Sequence, residues 1–493
     1  MPVNTERDDY KEMKPRWQRV RDCEGGRDAV LAAGELYVPS LPAKNAEENV
    51  AYRARGSFYN ALLRTIQGMV GAIFQEAPEV EFPTTFKTYL DDITLTNIPF
   101  EMFAQTTGRE VMIVGRYGIL VDMPLDPSPD ARPYCIGYKA EDIINWRTTR
   151  IAGAEVLTMI VLRETVEELD PKDPFITPCV MQYRVVQLIG AACITQLWRE
   201  DKDKKNEYVQ YGAATVSMRR GTALDFIPFV FICATAATPE LEPPPFIDLA
   251  DVNLGHWRNS CDYEYGLHLV ALPTPWVSGA RNAEQGTPMK IGPSVVWELD
   301  ASGSAGMLEF SGSGLGAIMS AMDEKKKQMA VLGARMLEDV PSVNETASAV
   351  KMRHSGEHAS LRTVTQSIEL GLTMILQIVV WWKGTDAKPV DVKVDVELNK
   401  EYNTIKLSAQ EMTAALQALQ ADEISFETWY NILVTGGWAR EGVTPENELK
   451  SIEKRISDKK AREPKPDPAI VPPARPKLIK RTAEGYRIEE ENA

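Results

Sequence analysis

The sequence predicts an α+β protein, and three features carry that prediction. Apolar residues recur at three- and four-residue spacing over long stretches, among them 47–74, 315–337 and 346–383, the pattern of helices with one buried face. Between Cys135 and Cys233 the texture changes to short apolar runs separated by charged turns such as Asp201 to Asn206, and connections this short join antiparallel strands. Between Phe246 and Thr346 two helical segments flank a module of prolines and glycines. That arrangement is a stalk with a small β-rich tip, not a pocket.

Composition bounds what the stalk belongs to. With 493 residues, 44% hydrophobic and 25% charged, the chain is long and apolar enough for two or more domains with real cores. A formal net charge of −15, from 55 Lys+Arg against 70 Asp+Glu, argues against tight retention of nucleic acid by phosphate neutralisation. It is compatible with a surface along which nucleic acid slides. Six cysteines without C-x-x-C spacing, several in apolar runs, read as buried free thiols of a reducing compartment rather than disulfides or zinc ligands. Met1 to Tyr10 is polar, so no secretory signal is expected. The most apolar run, Leu370 to Trp382, is interrupted by Gln377 and falls short of the ~20 residues of a membrane span. A soluble intracellular chain without membrane partner or cofactor is the expectation.

In chain order, Asn4 to Asp28 reads as a charged helix after Pro15, with Trp17 and Val20 as a thin apolar face and a break at Gly25-Gly26. Leu36 to Pro42 is extended, because each proline biases the residue before it away from helix. Glu47 to Phe74 reads as one helix buried through Tyr52, Phe58, Leu62, Ile66, Met69 and Ile73. Its Arg53, Arg55 and Arg64 are either a solvated face or an intersubunit or phosphate contact. A helix over Ile98 to Met112 and a buried strand over Arg116 to Asp122 follow. Further strands are expected at Val156 to Leu162, Val180 to Ile189, Cys193 to Arg199 and Phe226 to Cys233.

The stalk begins after Pro243-Pro-Pro245, where Leu249, Val252, His256 and Asn259 recur at helical spacing and Phe246 to His268 would span roughly 35 Å. Its second helix, Leu315 to Leu337, carries Ile318, Met322, Met329, Leu332 and Met336, with Lys325, Lys326 and Lys327 between them. Beyond it, Leu361, Val364, Ile368, Leu372, Ile375 and Val379 call for burial along one helix of roughly 57 Å. Ser408 to Glu411 fits a capping box, Leu416 and Leu419 form a stripe, and Ser425 to Thr428 opens a helix ending at Gly436-Gly437. After Glu463 a basic proline-rich tail is expected to be extended or disordered, with a weak DNA or scaffold contact or none.

Several stretches together resemble one family. Leu36-Tyr-Val-Pro, Asn60 to Gly71 followed by Phe74 and Pro78, Gly115 to Asp122, Ile227-Pro-Phe, Asp248 to Asp262 and Glu345-Thr-Ala347 resemble, in the same order, the portal proteins of tailed bacteriophages. The similarity covers most of residues 30–455. It implies a portal-type fold. Residues 1–245 would form the wing, 246–270 a stem helix, 271–310 the clip and 311–337 the second stem helix. Residues 338–345 would be the tunnel loop, 346–405 the long wing helix and return strand, 406–460 a helical crown and 461–493 the tail.

The resemblance also implies a function without catalysis. It would be a ring of about twelve subunits at one capsid vertex, through which double-stranded DNA is packaged and ejected. Implied partners are the terminase large subunit, the major capsid and scaffolding proteins and a head-tail adaptor, with Trp276, Arg281, Lys290 and Trp297 of the clip as docking residues. Its location would be the virion, and the host cytoplasm during assembly. The tunnel loop, Glu338, Asp339, Val340, Pro341, Ser342, Val343, Asn344 and Glu345, would place carboxylates at the narrowest point and, lacking core-forming residues, would move relative to both neighbouring helices. Lys325, Lys326 and Lys327 are candidates for a basic ring offering transient contacts to DNA, or for a face turned to solvent outside.

An enzyme reading competes with this one. His354-Ser-Gly-Glu-His358 matches the H-x-x-E-H pattern of inverted zinc proteases, which would make the chain a zinc-dependent hydrolase. Gly356 weakens a helix there, and Lys351 and Arg353 add positive charge beside the supposed metal; a solvated face is the plainer reading. Gly312 to Gly316 lacks the spacing of a dinucleotide-binding loop, and no phosphate-binding loop of an ATP motor is present.

Overall fold

The computed structural model describes residues 2–42, 44–124, 128, 131–168, 173, 175–201, 203–272, 274–280, 292, 295–309, 311–333, 347–400, 402, 409–421, 423–435, 443–462, 480–482 and 485–487. It divides into two units, Met1–Tyr402 and Asn403–Ala493. The fold mixes helices with antiparallel sheets.

The first unit opens with α1 (Asp8–Gly25), α2 (Arg27–Ala33), α3 (Ala46–Arg55), α4 (Ala61–Ile73), β1 (Glu79–Glu81) and α5 (Phe100–Val114). Strands follow: β2 (Arg116–Asp122), β3 (Tyr134–Lys139), β4 (Ile143–Ile151), β5 (Ala154–Glu167), β6 (Cys179–Ile189), β7 (Ala192–Glu200), β8 (Tyr208–Val216), β9 (Met218–Arg219), β10 (Thr222–Ala223) and β11 (Phe229–Cys233). Then come α6 (Ile247–Ala271), β12 (Thr274–Ala280), β13 (Leu299–Leu308), α7 (Leu315–Leu332), α8 (Ala347–Lys383) and β14 (Asp395–Glu397).

Two expectations for the N-terminal helices are corrected. α1 begins at Asp8, ahead of Pro15, not after it. Tyr10, Met13, Trp17, Val20 and Cys23 are buried along one face, and that burial offsets the roughly 3 kcal/mol that an interior proline costs. The single helix expected over 47–74 is two, because residues 56–60 are drawn onto α6. A Cβ at Gly56 would meet the Cys261 thiol and, at 3.1 Å, Trp257 Nε1. The Ser57 N–H donates to Ser260 Oγ at 2.8 Å. Asn60 Oδ1 accepts from the Leu63 N–H at 3.0 Å, and Asn253 Oδ1 accepts from the Ala61 N–H at 3.1 Å. Three side chains thus end one helix and cap the next.

The strands form two principal sheets, where the sequence suggested one. β4 to β8 make a five-stranded meander, and β11, β2 and β3 make a separate three-stranded sheet with Phe229 opposite Leu120 and Val121 opposite Cys135. β11 is buried throughout and β2 throughout except at its last residue, the profile of strands covered on both faces. The cover on one side is α8, whose Gly371 lets the Ile232 side chain of β11 approach so closely that a Cβ there would sit 2.5 Å from Ile232 Cγ1. Ile368, Leu372, Ile375 and Val379 of α8 are wholly buried. The stretch Leu361–Lys383 is therefore longer and more apolar than expected, enough to cross a membrane by length and composition, but 61% of its most apolar window is buried inside the unit. It is a core helix.

The second unit contains α9 (Ala409–Gln420), α10 (Phe426–Thr435), α11 (Pro445–Arg462) and a hairpin of β15 (Lys480–Thr482) with β16 (Gly485–Arg487). Ser425 Oγ accepts from the Thr428 N–H at 3.1 Å and so caps α10. The hairpin lies in the tail expected to be extended or disordered; residues 463–479, 483–484 and 488–493 of that tail lie outside the described residues. The proline run ends at Pro476, after which backbone N–H groups are again available for a ladder.

Candidate functional site

α6 and α7 run antiparallel. Gly266 of α6 faces Leu315 at the start of α7, Gly255 faces Lys325, and Leu249 at the start of α6 faces Gly333 just after α7. At each end of the pair a glycine receives a leucine of the other helix; Gly266 does so from inside α6, where glycine otherwise costs about 1 kcal/mol, and Gly333 from just beyond α7. The two ends of the pair differ in burial. Leu249, Leu254, Trp257 and Cys261 of α6 are buried against the body, whereas no residue of α6 from Asp262 onward is buried. On α7 Met329 alone is buried.

The far end of the pair carries the β12–β13 hairpin, in which Thr274 pairs with Leu308 and Trp276 with Gly306. Trp276 lies across Gly306, where a Cβ would be 2.9 Å from the indole nitrogen, and is 46% exposed. Large apolar side chains continue in the open along this projection: Leu267 and Leu272, Met307 and Leu308, Met319 and Val331. Val331 lies toward the body end of the pair and the others toward the hairpin.

The three lysines do not act as one group. Consecutive helix residues point about 100° apart, so no single face can present all three. Lys325 lays its stem over Gly255, its Cε 3.2 Å from where a Cβ would be, and Lys326 pairs with Asp323 at 3.3 Å. Lys327 is exposed, as are Asp323 and Glu324. Of the docking residues, Trp276 is on β12 and Trp297 is half-buried just before β13; Arg281 and Lys290 lie outside the described residues, as does the whole tunnel loop, 338–345. His354 and His358 are in α8, which continues through Gly356, but their side chains are outside the described residues. Among the described residues no group of three His, Cys, Asp or Glu could hold a metal ion.

Arg53 is neither a solvated nor a free phosphate-binding group. It is buried, with Nε donating to the Val38 carbonyl at 3.0 Å and Nη2 to Ser40 Oγ at 2.7 Å. Arg64 stacks over the Tyr59 ring at 5.8 Å. A cleft of about 750 Å³ beside β8 has Asp122, Arg184 and Trp382 in its wall. Its charged groups are already committed: Arg184 bonds Asp122 at 3.2 Å and Glu164 at 2.6 Å, and burial pushes the Asp122 carboxyl up.

Sequence reading missed the residues that dock the stalk on the body. Tyr52 donates to Asp262 Oδ1 at 2.5 Å, and Asn253 holds the start of α4 from within α6. His256, noted only as part of an apolar rhythm, is 3% exposed with neither ring nitrogen hydrogen-bonded. A polar residue at an inward helical position was the available signal for both Asn253 and His256.

Residues 245–383, from the start of α6 to the end of α8, match a family described as a domain of unknown function, DUF4055. No curated protein matches the chain. Among solved structures, the chain is similar at 12% identity and a TM-score of 0.39 to one in "Neck of empty GTA particle computed with C6 symmetry", covering 84% of this chain and 99% of that one. A second, in "Neck of native GTA particle computed with C12 symmetry", gives 11% identity and a TM-score of 0.34, covering 80% and 95%. At these scores neither likeness bears on function.

Proposed function

We propose that the protein is a portal-type conduit: a ring of about twelve copies at a capsid vertex through which double-stranded DNA passes. The observation that carries the reading is the projecting pair α6–α7 with its hairpin, which leaves large apolar side chains from Leu267 to Val331 uncovered in one chain. Neighbouring copies around a ring would cover them. The order of sequence motifs that resemble those of portal proteins supports reading the ring as a portal.

Electrostatics favours passage over capture. A chain of net charge −15 repels phosphates over most of a channel wall, and exposed Asp323 and Glu324 beside Lys327 keep any basic contact local and weak. Terminase would dock from outside, on the hairpin around Trp276. The hydrolase reading gains no support from the described residues.

The test is deletion of Val340 to Asn344. Rings should still form by electron microscopy while the yield of stably filled heads falls. Normal yields of filled heads from such rings would remove the loop from the channel.

A further inference from the structure

We propose that His256 is a protonation-controlled latch for α7: the neutral imidazole lets α7 seat on α6, and protonation unseats it. The inference rests on the α6–α7 contact within one chain and is independent of ring formation.

His256 lies beside Gly255, at the place where the Lys325 stem crosses α6. It is 3% exposed, and Nδ1 and Nε2 both lack a hydrogen-bond partner. The charged groups that face it all come from α7: Lys326 and Lys325, with Asp323 as the single carboxylate. From the segment between α3 and α4 it meets the Tyr59 ring at 6.1 Å, and Arg64 of α4 lies on that same ring. Asp323 already pairs with Lys326.

A proton added here therefore creates an imidazolium whose two N–H donors have no acceptor within hydrogen-bond distance, with two ammonium groups near and the one carboxylate, Asp323, already paired. Burial first, and then Lys326 and Lys325, hold the imidazole below its ordinary value of 6.5. The sign follows: an opened α7 exposes His256 to water and takes up the proton more readily than the seated form. Seating is complete above the ordinary pKa and is lost as pH falls below it. α7 is the element that yields, because Met329 is its one buried side chain while α6 is fixed to the body through Leu249, Leu254 and Trp257.

Hydrogen exchange of the full chain, corrected for intrinsic rates, tests this at pH 7.5 and 5.5. Amides of 317–331 should exchange about fivefold or more faster at the lower pH, while those of 368–380 in α8 stay unchanged. His256→Gln and His256→Phe should abolish the difference. Lys325→Met with Lys326→Met should shrink the difference, and Asp323→Asn should enlarge it, because the response scales with how far the seated imidazole is held below its ordinary value. The last two variants leave His256 in place, so they carry the test if a His256 variant misfolds. Equal exchange of α7 at both pH values, or a pH response that survives in a folded His256 variant, would overturn the proposal.

Discussion

Gly266 on α6 and Leu315 on α7 meet so closely that a Cβ on the glycine would lie 2.7 Å from Leu315 Cδ2. Leu315 sits at the helix start, so a Cβ on Gly266 must turn the leucine out of its rotamer or lift α7. Gly266→Val should therefore lower stability of the stalk by about 1–3 kcal/mol. Gly255 provides the contrast, since its neighbour is the flexible end of Lys325 at 3.2 Å. Gly255→Ala should be neutral or stabilising by up to ~1 kcal/mol through helix propensity. Urea denaturation of the two variants, followed by exchange of α7 amides, separates them.

A second expectation concerns Arg116. Its guanidinium is 2% exposed, all three nitrogens lack hydrogen-bond partners, and it sits in the angle between two tilted rings, 4.1 Å from Trp146 and 4.4 Å from Phe231. Burial pulls it down to about 10, so it remains charged at neutral pH. Ring faces compensate a buried cation only in part. Arg116→Met should match or exceed wild-type stability, whereas Arg116→Ala, which leaves a void between two rings, should lose about 3 kcal/mol. Chemical denaturation of both variants at pH 7.5 is the check; a Met variant weaker than the Ala variant would contradict it.

The thiols give a third. Of six cysteines, Cys179 is exposed and the others are buried; burial pushes Cys193 and Cys233 up to about 11 and Cys261 up to about 12. In the folded protein at pH 8 a thiol reagent should modify one cysteine rapidly, mapped by peptide mass to Cys179, and the remainder at least about a hundredfold more slowly. Fast modification of Cys193 or Cys233 would show that the sheets open.

Helix periodicity made most of the architecture readable. The turn-rich module between the stalk helices, the break at Gly26 and the strand 116–122 are all marked by local residues whose effects do not depend on distant packing. What escaped depended on tertiary contact. Residues 56–60 leave the helix because Trp257, Ser260 and Asn253, some two hundred positions away, claim their backbone. β8 was missed because Tyr208 to Val216 is exposed on both sides for most of its length and shows no alternation. Of the candidate site, the run Lys325 to Lys327 was legible as charge but not as three separate environments, which only the pairing of α7 with Gly255 and Asp323 reveals.

Native mass spectrometry of the purified full-length protein tests the conduit most directly. The expected result is a closed ring of about twelve copies, persisting across moderate salt because apolar side chains such as Leu267, Met319 and Val331 are covered by neighbouring copies. A stable monomer at micromolar concentration under several salt conditions would contradict it.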